Sequence, residues 1–187
     1  PVYIPFSLPG ETVTIRRDGN EITNPSVDRI EPFCPHFTRC GGCMTQHLSQ
    51  DKYVELKRGT VETALRNREI AAPVANLVDA HGAGRRRTTL HVRSKSGALD
   101  AGFMRAGSHD LIEIDACPIL APPLKQAPEL ARALGGAIPD LSGSLDIQIT
   151  ATNSGLDCDI RGIKELSLDA RMNLGELAEH HDLARVS

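Results

Sequence analysis

Three cysteines, Cys34, Cys40 and Cys43, lie within ten residues of one another in the segment CPHFTRCGGCMTQH. The chain has five cysteines, an odd number that fits a secreted disulfide framework poorly, whereas clustered thiols in a reducing compartment are typical metal ligands. The two glycines between Cys40 and Cys43 allow the backbone to turn sharply around an ion. The segment therefore predicts a metal centre with thiolate ligands.

A fourth ligand has two candidates elsewhere in the chain. Cys158 shares a predicted strand face with Leu156 and Ile160, as expected of a small buried hydrophobic residue. Cys117 lies at the end of a predicted strand and precedes Pro118, on a loop that could approach the other three cysteines. We therefore predict four metal ligands: Cys34, Cys40, Cys43 and Cys117.

Zinc and an iron–sulfur cluster both accept four thiolates. Structural zinc sites usually take two close cysteine pairs, whereas cluster sites often combine a close group of three with one distant cysteine before proline. The spacing here is of the second kind, so it favours an iron–sulfur cluster and leaves zinc open. Further alternatives are an electron carrier of the ferredoxin type and a purely structural domain. A cluster could also act without redox chemistry, by closing a long loop between residues 34–43 and residue 117.

Charge is unevenly distributed along the chain, although the formal net charge is only −3. Residues 85–109 contain six Lys or Arg and one acidic residue, whereas residues 110–187 contain six Lys or Arg and thirteen acidic residues. A basic stretch on an acidic body predicts a directed contact with phosphate groups. Aromatic residues are few, so phosphate contacts should dominate over base stacking. The predicted RNA-contact residues are Gln46, His47, Lys57, Arg85, Arg86, Arg87, His91, Arg93, Arg105 and His109.

The hydrophobic pattern predicts an α+β domain with a mainly antiparallel sheet. A small β module with a turn at Asp18-Gly19-Asn20 should come first, and Ser49 should cap the first helix. Pro128 falls inside the second predicted helix, which it could break. The expected helices cover 49–69, 123–136 and 167–181, and the expected strands cover 85–94, 98–104, 110–114, 144–152 and 156–162.

Length and composition narrow the class of protein. A chain of 187 residues with 40% hydrophobic content can bury one core and add a small module. No apolar run approaches the roughly 18 residues of a membrane span, and no secretory signal is visible, so we expect a cytoplasmic protein. The chain starts on Pro1 instead of Met, which suggests that it has been trimmed. The segment Gly82-Ala83-Gly84 lacks the strand–glycine–helix context of a cofactor loop.

The cysteine segment carries a resemblance to a known family. The stretch CPHFTRCGGCMTQHLSQDKYVELKR resembles the signature C-x5-C-G-G-C-x2-Q-H-L, followed by a tyrosine and a lysine, of the iron–sulfur RNA (uracil-5-)-methyltransferases, which act on ribosomal or transfer RNA. Upstream, SLPGETV resembles the end of their TRAM domain, an OB-like RNA-binding barrel. Downstream, RRRTTLHVR, AGFMRAGSHDLIEIDACPIL and LDIQITAT resemble their central domain, whose fourth cluster ligand matches Cys117. The resemblance implies a TRAM remnant at residues 1–33, a central cluster- and RNA-binding domain at 34–187, and a 4Fe-4S cluster.

Members of this family continue into a Rossmann-like domain that binds S-adenosylmethionine and carries a cysteine nucleophile for the uracil. No segment of this chain resembles that domain, so the resemblance implies the RNA-binding and cluster portion of a larger enzyme. We expect no catalytic residue in this chain, no activity of the chain alone, and S-adenosylmethionine as a cofactor of the parent enzyme only. Structured RNA, either ribosomal or transfer RNA, is the implied partner. The alternative is a zinc-stabilised nucleic-acid-binding domain without catalytic activity.

Overall fold

The computed structural model describes residues 2–17, 19–78, 84–95, 97–139, 141, 143–163 and 165–187. Asp18 of the predicted first turn lies outside the described residues, as do Gly82 and Ala83. The chain divides into two compact units. The first comprises Pro1–Thr38 and Cys43–Asp79, and the second comprises Arg39–Gly42 and Ala80–Ser187.

The first unit contains one β-hairpin and one helix within its described residues. Strands β1 (Thr12–Arg16) and β2 (Gly19–Asn24) pair antiparallel, as expected for a small β module. Helix α1 spans Gln50–Arg66 and is preceded by Ser49 at the N-cap position, as predicted. The Ser49 hydroxyl makes no capping bond, and the Ser49 backbone N–H donates to the Asp28 carbonyl at 2.8 Å.

An ion pair between Glu11 and Arg29 holds two segments of the first unit together, residues 8–11 and 26–29. The Glu11 side chain has no exposed surface, and its two oxygens accept from Arg29 Nε at 2.5 Å and Nη2 at 2.8 Å. The same carboxylate accepts from the backbone N–H groups of Leu8 at 2.7 Å and Ser26 at 3.2 Å. Pairing with Arg29 lowers the pKa of Glu11 to about 2, against the opposing effect of burial. The carboxylate is therefore ionised and satisfied at neutral pH.

The second unit is built on a six-stranded sheet of order β5-β4-β3-β6-β7-β8, counted over the described residues. All neighbours pair antiparallel except β7 and β8, which are parallel. This arrangement confirms the predicted α+β class with a mainly antiparallel sheet. Strand β8 was not predicted, because four residues after a helix carry little periodic signal. The strands are β3 (Arg87–Lys95), β4 (Ala98–Met104), β5 (Leu111–Glu113), β6 (Ser144–Thr152), β7 (Gly155–Arg161) and β8 (Leu183–Val186).

Two helices accompany this sheet, α2 (Ala127–Gly136) and α3 (Leu168–His180). Pro128 does not break α2, because it lies in the first turn, where its missing N–H would have no intrahelical partner. Ser167 caps α3, and its hydroxyl accepts from the Ala170 N–H at 3.2 Å. None of the described helices is long and apolar enough to cross a bilayer.

The core of the second unit lies on one face of the sheet. Leu90 and Val92 of β3 and Ile147 of β6 have no exposed surface, and Leu130 and Leu134 of α2 belong to the same buried cluster. Since strand residues alternate between faces, the opposite face carries the polar residues of β3 and β6. We call this the polar sheet face, defined by Arg87, Thr89, His91, Arg93, Asp146, Gln148 and Thr150.

Candidate functional site

Cys34 and Cys43 belong to the first unit. Cys34 begins a turn in which its carbonyl accepts from the Phe37 N–H at 3.0 Å. The Cys34 N–H donates to the side-chain oxygen of Gln46 at 3.2 Å. Gln46, predicted as an RNA contact, thus ties the Cys34 turn to the segment that follows Cys43.

His47 lies in an aromatic cluster of the first unit. Its ring centroid is 5.3 Å from that of Phe37 and 6.1 Å from that of Phe6, and the residue is 3% exposed. Neither ring nitrogen has a hydrogen-bond partner among the described residues. Burial, followed by the charge of Arg29, lowers the pKa of His47. The ring is therefore enclosed in the first unit, and its predicted contact with RNA stays a prediction.

Cys40 belongs to the second unit, where its segment is attached to the end of β4. Cys40 forms an isolated antiparallel bridge with Arg105, and the Gly41 N–H donates to the Met104 carbonyl at 2.9 Å. A side chain at Gly41 would lie 2.9 Å from that carbonyl oxygen, so glycine permits the close approach. The Gly42 N–H points to the Cys40 sulfur at 3.4 Å, a donor of the kind that tunes thiolate ligands in iron–sulfur proteins.

Cys117 also belongs to the second unit, in a turn that is bonded to the chain just before β3. Its carbonyl accepts from the Leu120 N–H at 3.1 Å. The next residues bond to Arg85 on both sides: its N–H donates to the Ile119 carbonyl at 2.8 Å, and its carbonyl accepts from the Ala121 N–H at 3.0 Å. The predicted fourth ligand and the first predicted RNA-binding arginine thus share one hydrogen-bonded segment.

The donor chemistry of the four predicted ligands suits a thiolate site. Cys34, Cys40, Cys43 and Cys117 are all partly exposed, as access by a metal requires, whereas Cys158 is buried. Burial, together with the charge of Asp157, raises the pKa of Cys158 to about 11. No group of three or more His, Cys, Asp or Glu side chains placed to hold a metal ion occurs in the described part of the chain. The four-cysteine site therefore stays a prediction.

The predicted alternation of β3 is confirmed. Thr88, Leu90 and Val92 are at most 2% exposed, and the residues between them point to the polar sheet face. On this face His91 Nδ1 lies 2.6 Å from Asp146 Oδ1 of β6, and Arg93 Nη2 lies 3.8 Å from the Met104 sulfur. An RNA contact by His91 would therefore involve its other ring nitrogen.

The remaining predicted RNA contacts fall in three places. Arg85, Arg86 and Arg87 come together around one cleft of the second unit. Arg105 and His109 lie in the loop after β4, where the Arg105 N–H donates to the Asp110 carbonyl at 2.8 Å. Lys57 lies on α1 of the first unit, with its ammonium 5.4 Å from the Tyr53 ring centroid.

Two threonines of the polar sheet face, Thr89 and Thr150, line the arginine cleft and were missed in the sequence. Thr89 could have been included from the alternation of β3, because it lies between two nominated residues on the same face. Thr150 carried no such signal. It joins the cleft because β3 pairs with β6, with Arg87 opposite Thr150 in the register.

Comparison with known proteins finds relatives that are named RNA methyltransferases. No family model matches it. The chain is 36% identical over its full length to an uncharacterized RNA methyltransferase of Agrobacterium fabrum, and 35% identical over its full length to one of Caulobacter vibrioides, covering 48% of each protein. It is 33% identical, over 97% of its length, to 44% of the 23S rRNA (uracil(1939)-C(5))-methyltransferase RlmD of Vibrio parahaemolyticus. The chain thus spans about half the length of these relatives. Over essentially its whole length, this chain is homologous to a part of proteins that are named RNA methyltransferases.

Proposed function

We propose that this chain is the RNA-binding and iron–sulfur-cluster portion of an S-adenosylmethionine-dependent RNA (uracil-5-)-methyltransferase that acts on ribosomal or transfer RNA in the cytoplasm. The observation that carries the proposal is the identity of 33–36% to RNA methyltransferases over essentially the whole chain. In this proposal residues 1–33 are the C-terminal part of a TRAM domain and residues 34–187 are the central domain. S-adenosylmethionine would supply the methyl group in a catalytic domain that these 187 residues do not include.

The cysteines and the arginines support a division of labour within the chain. Cys40 is bridged to Arg105, and the Cys117 turn is bonded to Arg85, so two predicted cluster ligands adjoin two predicted RNA contacts. A group bound by these thiolates would restrain both segments, because metal binding and local folding are coupled. The cluster would therefore act on RNA binding through structure, with no need for electron transfer.

The residues of this chain would hold the RNA and leave the chemistry to the other domain. Arginine and lysine side chains bind phosphates and set the position of the nucleic acid. A uracil that reacts inside folded RNA has to leave its stack, and the surrounding RNA has to be held while it does so. The arginines and the polar sheet face of the second unit supply such contacts.

Metal analysis of the chain purified without oxygen tests the cluster. We expect about four iron and four sulfide per chain and a brown colour, since four cysteines serve one 4Fe-4S cluster. Serine substitutions at Cys34, Cys40, Cys43 or Cys117 should each remove most of the iron. Cys158→Ser is the matched control and should keep it, because Cys158 is a buried core residue.

Three outcomes would count against parts of this proposal. About one zinc per chain without sulfide would favour the zinc-stabilised nucleic-acid-binding alternative. Iron content that is lost equally in Cys158→Ser would contradict the assignment of ligands. Binding of S-adenosylmethionine or methyl transfer by the chain alone would contradict its role as the RNA-binding portion.

A further inference from the structure

A cleft of about 490 Å³ lies in the second unit, where the chain enters β3. Among the described residues, its lining contains three arginines and no acidic residue. We infer, on the basis of the proposed function, that this cleft binds a backbone phosphate of RNA through Arg85 and Arg87, while Arg86 holds the wall of the cleft. The described residues that line it are Arg85, Arg86, Arg87, Thr88, Thr89, Thr150 and Ala151.

The backbone of the cleft is held on both sides before any ligand arrives. Arg85 bonds to the Cys117 turn through its N–H and its carbonyl, and the Arg86 carbonyl accepts from the Ala151 N–H of β6 at 2.8 Å. Gly84 precedes them at φ +74°, and a side chain there would lie 2.6 Å from the backbone of Ala121. Because this backbone segment is already ordered, binding of a ligand should cost little further conformational entropy.

The three arginines differ in their contacts, because successive side chains of an extended chain point to opposite sides. Arg86 turns towards the protein, where its Nη2 donates to the Ala151 carbonyl at 3.1 Å and to the Asn153 side chain at 3.4 Å. All three arginines are exposed, but among the described residues the guanidinium groups of Arg85 and Arg87 make no hydrogen bond or ion pair. Two unused guanidinium groups therefore remain for a ligand.

The surroundings leave the charge of this pair uncancelled. Arg87 lies opposite Thr150, so their Cβ atoms are about 4.5–5.5 Å apart on the polar sheet face. The carboxylate opposite Thr150 on the next strand, Asp157, is already occupied by a bidentate pair with Arg185 at 2.9 and 3.0 Å. Planar guanidinium groups next to hydroxyl groups match the several oxygens of a phosphate.

Salt-dependent binding of a labelled, structured RNA by the 187-residue chain tests the inference. Arg85→Gln/Arg87→Gln should weaken binding about tenfold or more and reduce the slope of log K against log salt by about 0.7–0.9, the loss of one phosphate contact. The matched control is Arg161→Gln/Arg171→Gln, which also removes two charges from the second unit. Arg161 pairs with Asp159 and Arg171 donates to the Leu166 carbonyl, and neither lines the cleft, so this control should change the affinity less than about twofold.

A second variant keeps the test valid if the glutamine pair fails to fold. Arg85→Lys/Arg87→Lys retains both charges and should keep the wild-type salt slope. Its RNA affinity should still fall several-fold, because an ammonium group cannot bridge two phosphate oxygens as a guanidinium group does. Wild-type affinity in this variant would overturn the role of the guanidinium pair.

The outcomes separate this inference from the proposed function. Suppose that the wild-type chain binds RNA, but that the two charge-removing double variants weaken RNA binding equally, or that Arg85→Gln/Arg87→Gln has no effect. The assignment of the cleft to phosphate is then wrong, and the proposed function stands. If the wild-type chain fails to bind structured RNA at about 50 mM salt, the proposed function fails as well. Titration with inorganic phosphate distinguishes a free anion: submillimolar binding that is lost in the glutamine pair, with RNA affinity unchanged, would overturn the assignment to RNA.

Discussion

The Glu11–Arg29 pair offers a quantitative test of the first unit. Glu11→Gln keeps the shape of the side chain but removes its charge, leaving the guanidinium of Arg29 without a counter-ion. The Glu11 side chain has no exposed surface, the Arg29 side chain is 21% exposed, and the carboxylate also accepts from the N–H groups of Leu8 and Ser26. We expect this substitution to loosen all the segments that meet at the carboxylate.

The size of the effect follows from the pKa of Glu11. Its fall from 4.5 to about 2 corresponds to about 3 kcal/mol, since one pKa unit is worth a little over 1 kcal/mol. Partial exposure of Arg29 screens the pair, so we expect Glu11→Gln to destabilise the first unit by about 2–3 kcal/mol. Glu21→Gln is the matched control. Its pair with Arg16 is more than half exposed, and its loss should change stability by less than about 1 kcal/mol.

Hydrogen exchange of peptides covering residues 2–30, followed in increasing urea, measures the opening of this unit separately from the second. The pKa of Glu11 is lowered in the folded state, so its stabilisation is complete above about pH 4.5 and is lost as the pH falls towards 2. The difference between wild type and Glu11→Gln should therefore narrow across that window. A gap that stays constant from pH 7 to pH 3, or a variant as stable as Glu21→Gln, would refute the reasoning.

Three further predictions concern the second unit. Gly102→Ala would place a side chain 1.9 Å from the Ile112 carbonyl oxygen, so it should lower the free energy of unfolding by about 3 kcal/mol or more. The control, Gly175→Ala in α3, meets nothing within 4 Å and should raise the free energy of unfolding by about 0.5–1 kcal/mol. Urea denaturation measures both. Arg86→Gln should speed hydrogen exchange in the turn between β6 and β7 without changing the salt slope of RNA binding. Cys158 should resist alkylation at pH 8 in the folded chain, because burial raises its pKa to about 11.

Each of these predictions has a result that contradicts it. Wild-type stability of Gly102→Ala would show that β4 and β5 do not pair in the described register. A loss of salt slope in Arg86→Gln as large as in the Arg85/Arg87 variant would show that Arg86 itself binds the phosphate. Alkylation of Cys158 as fast as that of Cys34 would contradict its place in the core.

Local patterns were sufficient for most of the secondary structure. The alternation of Leu90 and Val92 with Thr89 and His91 predicted which face of β3 is buried, because the period of two is a property of the strand itself. The helix from Gln50 was predicted from apolar residues at helical spacing. Strand β8 was missed because it forms by pairing with β7, and its four residues have no period of their own.

The sequence by itself determined the α+β class, the cysteine segment and the basic stretch around Arg85–Arg87, because composition, spacing and short-range periodicity are local properties of the chain. Tertiary structure alone decided that His47 is enclosed, that Arg86 faces the protein, and that Thr150 lies opposite Arg87. These features depend on which distant segments pack or pair, and pairing across more than sixty residues leaves no mark in either segment alone.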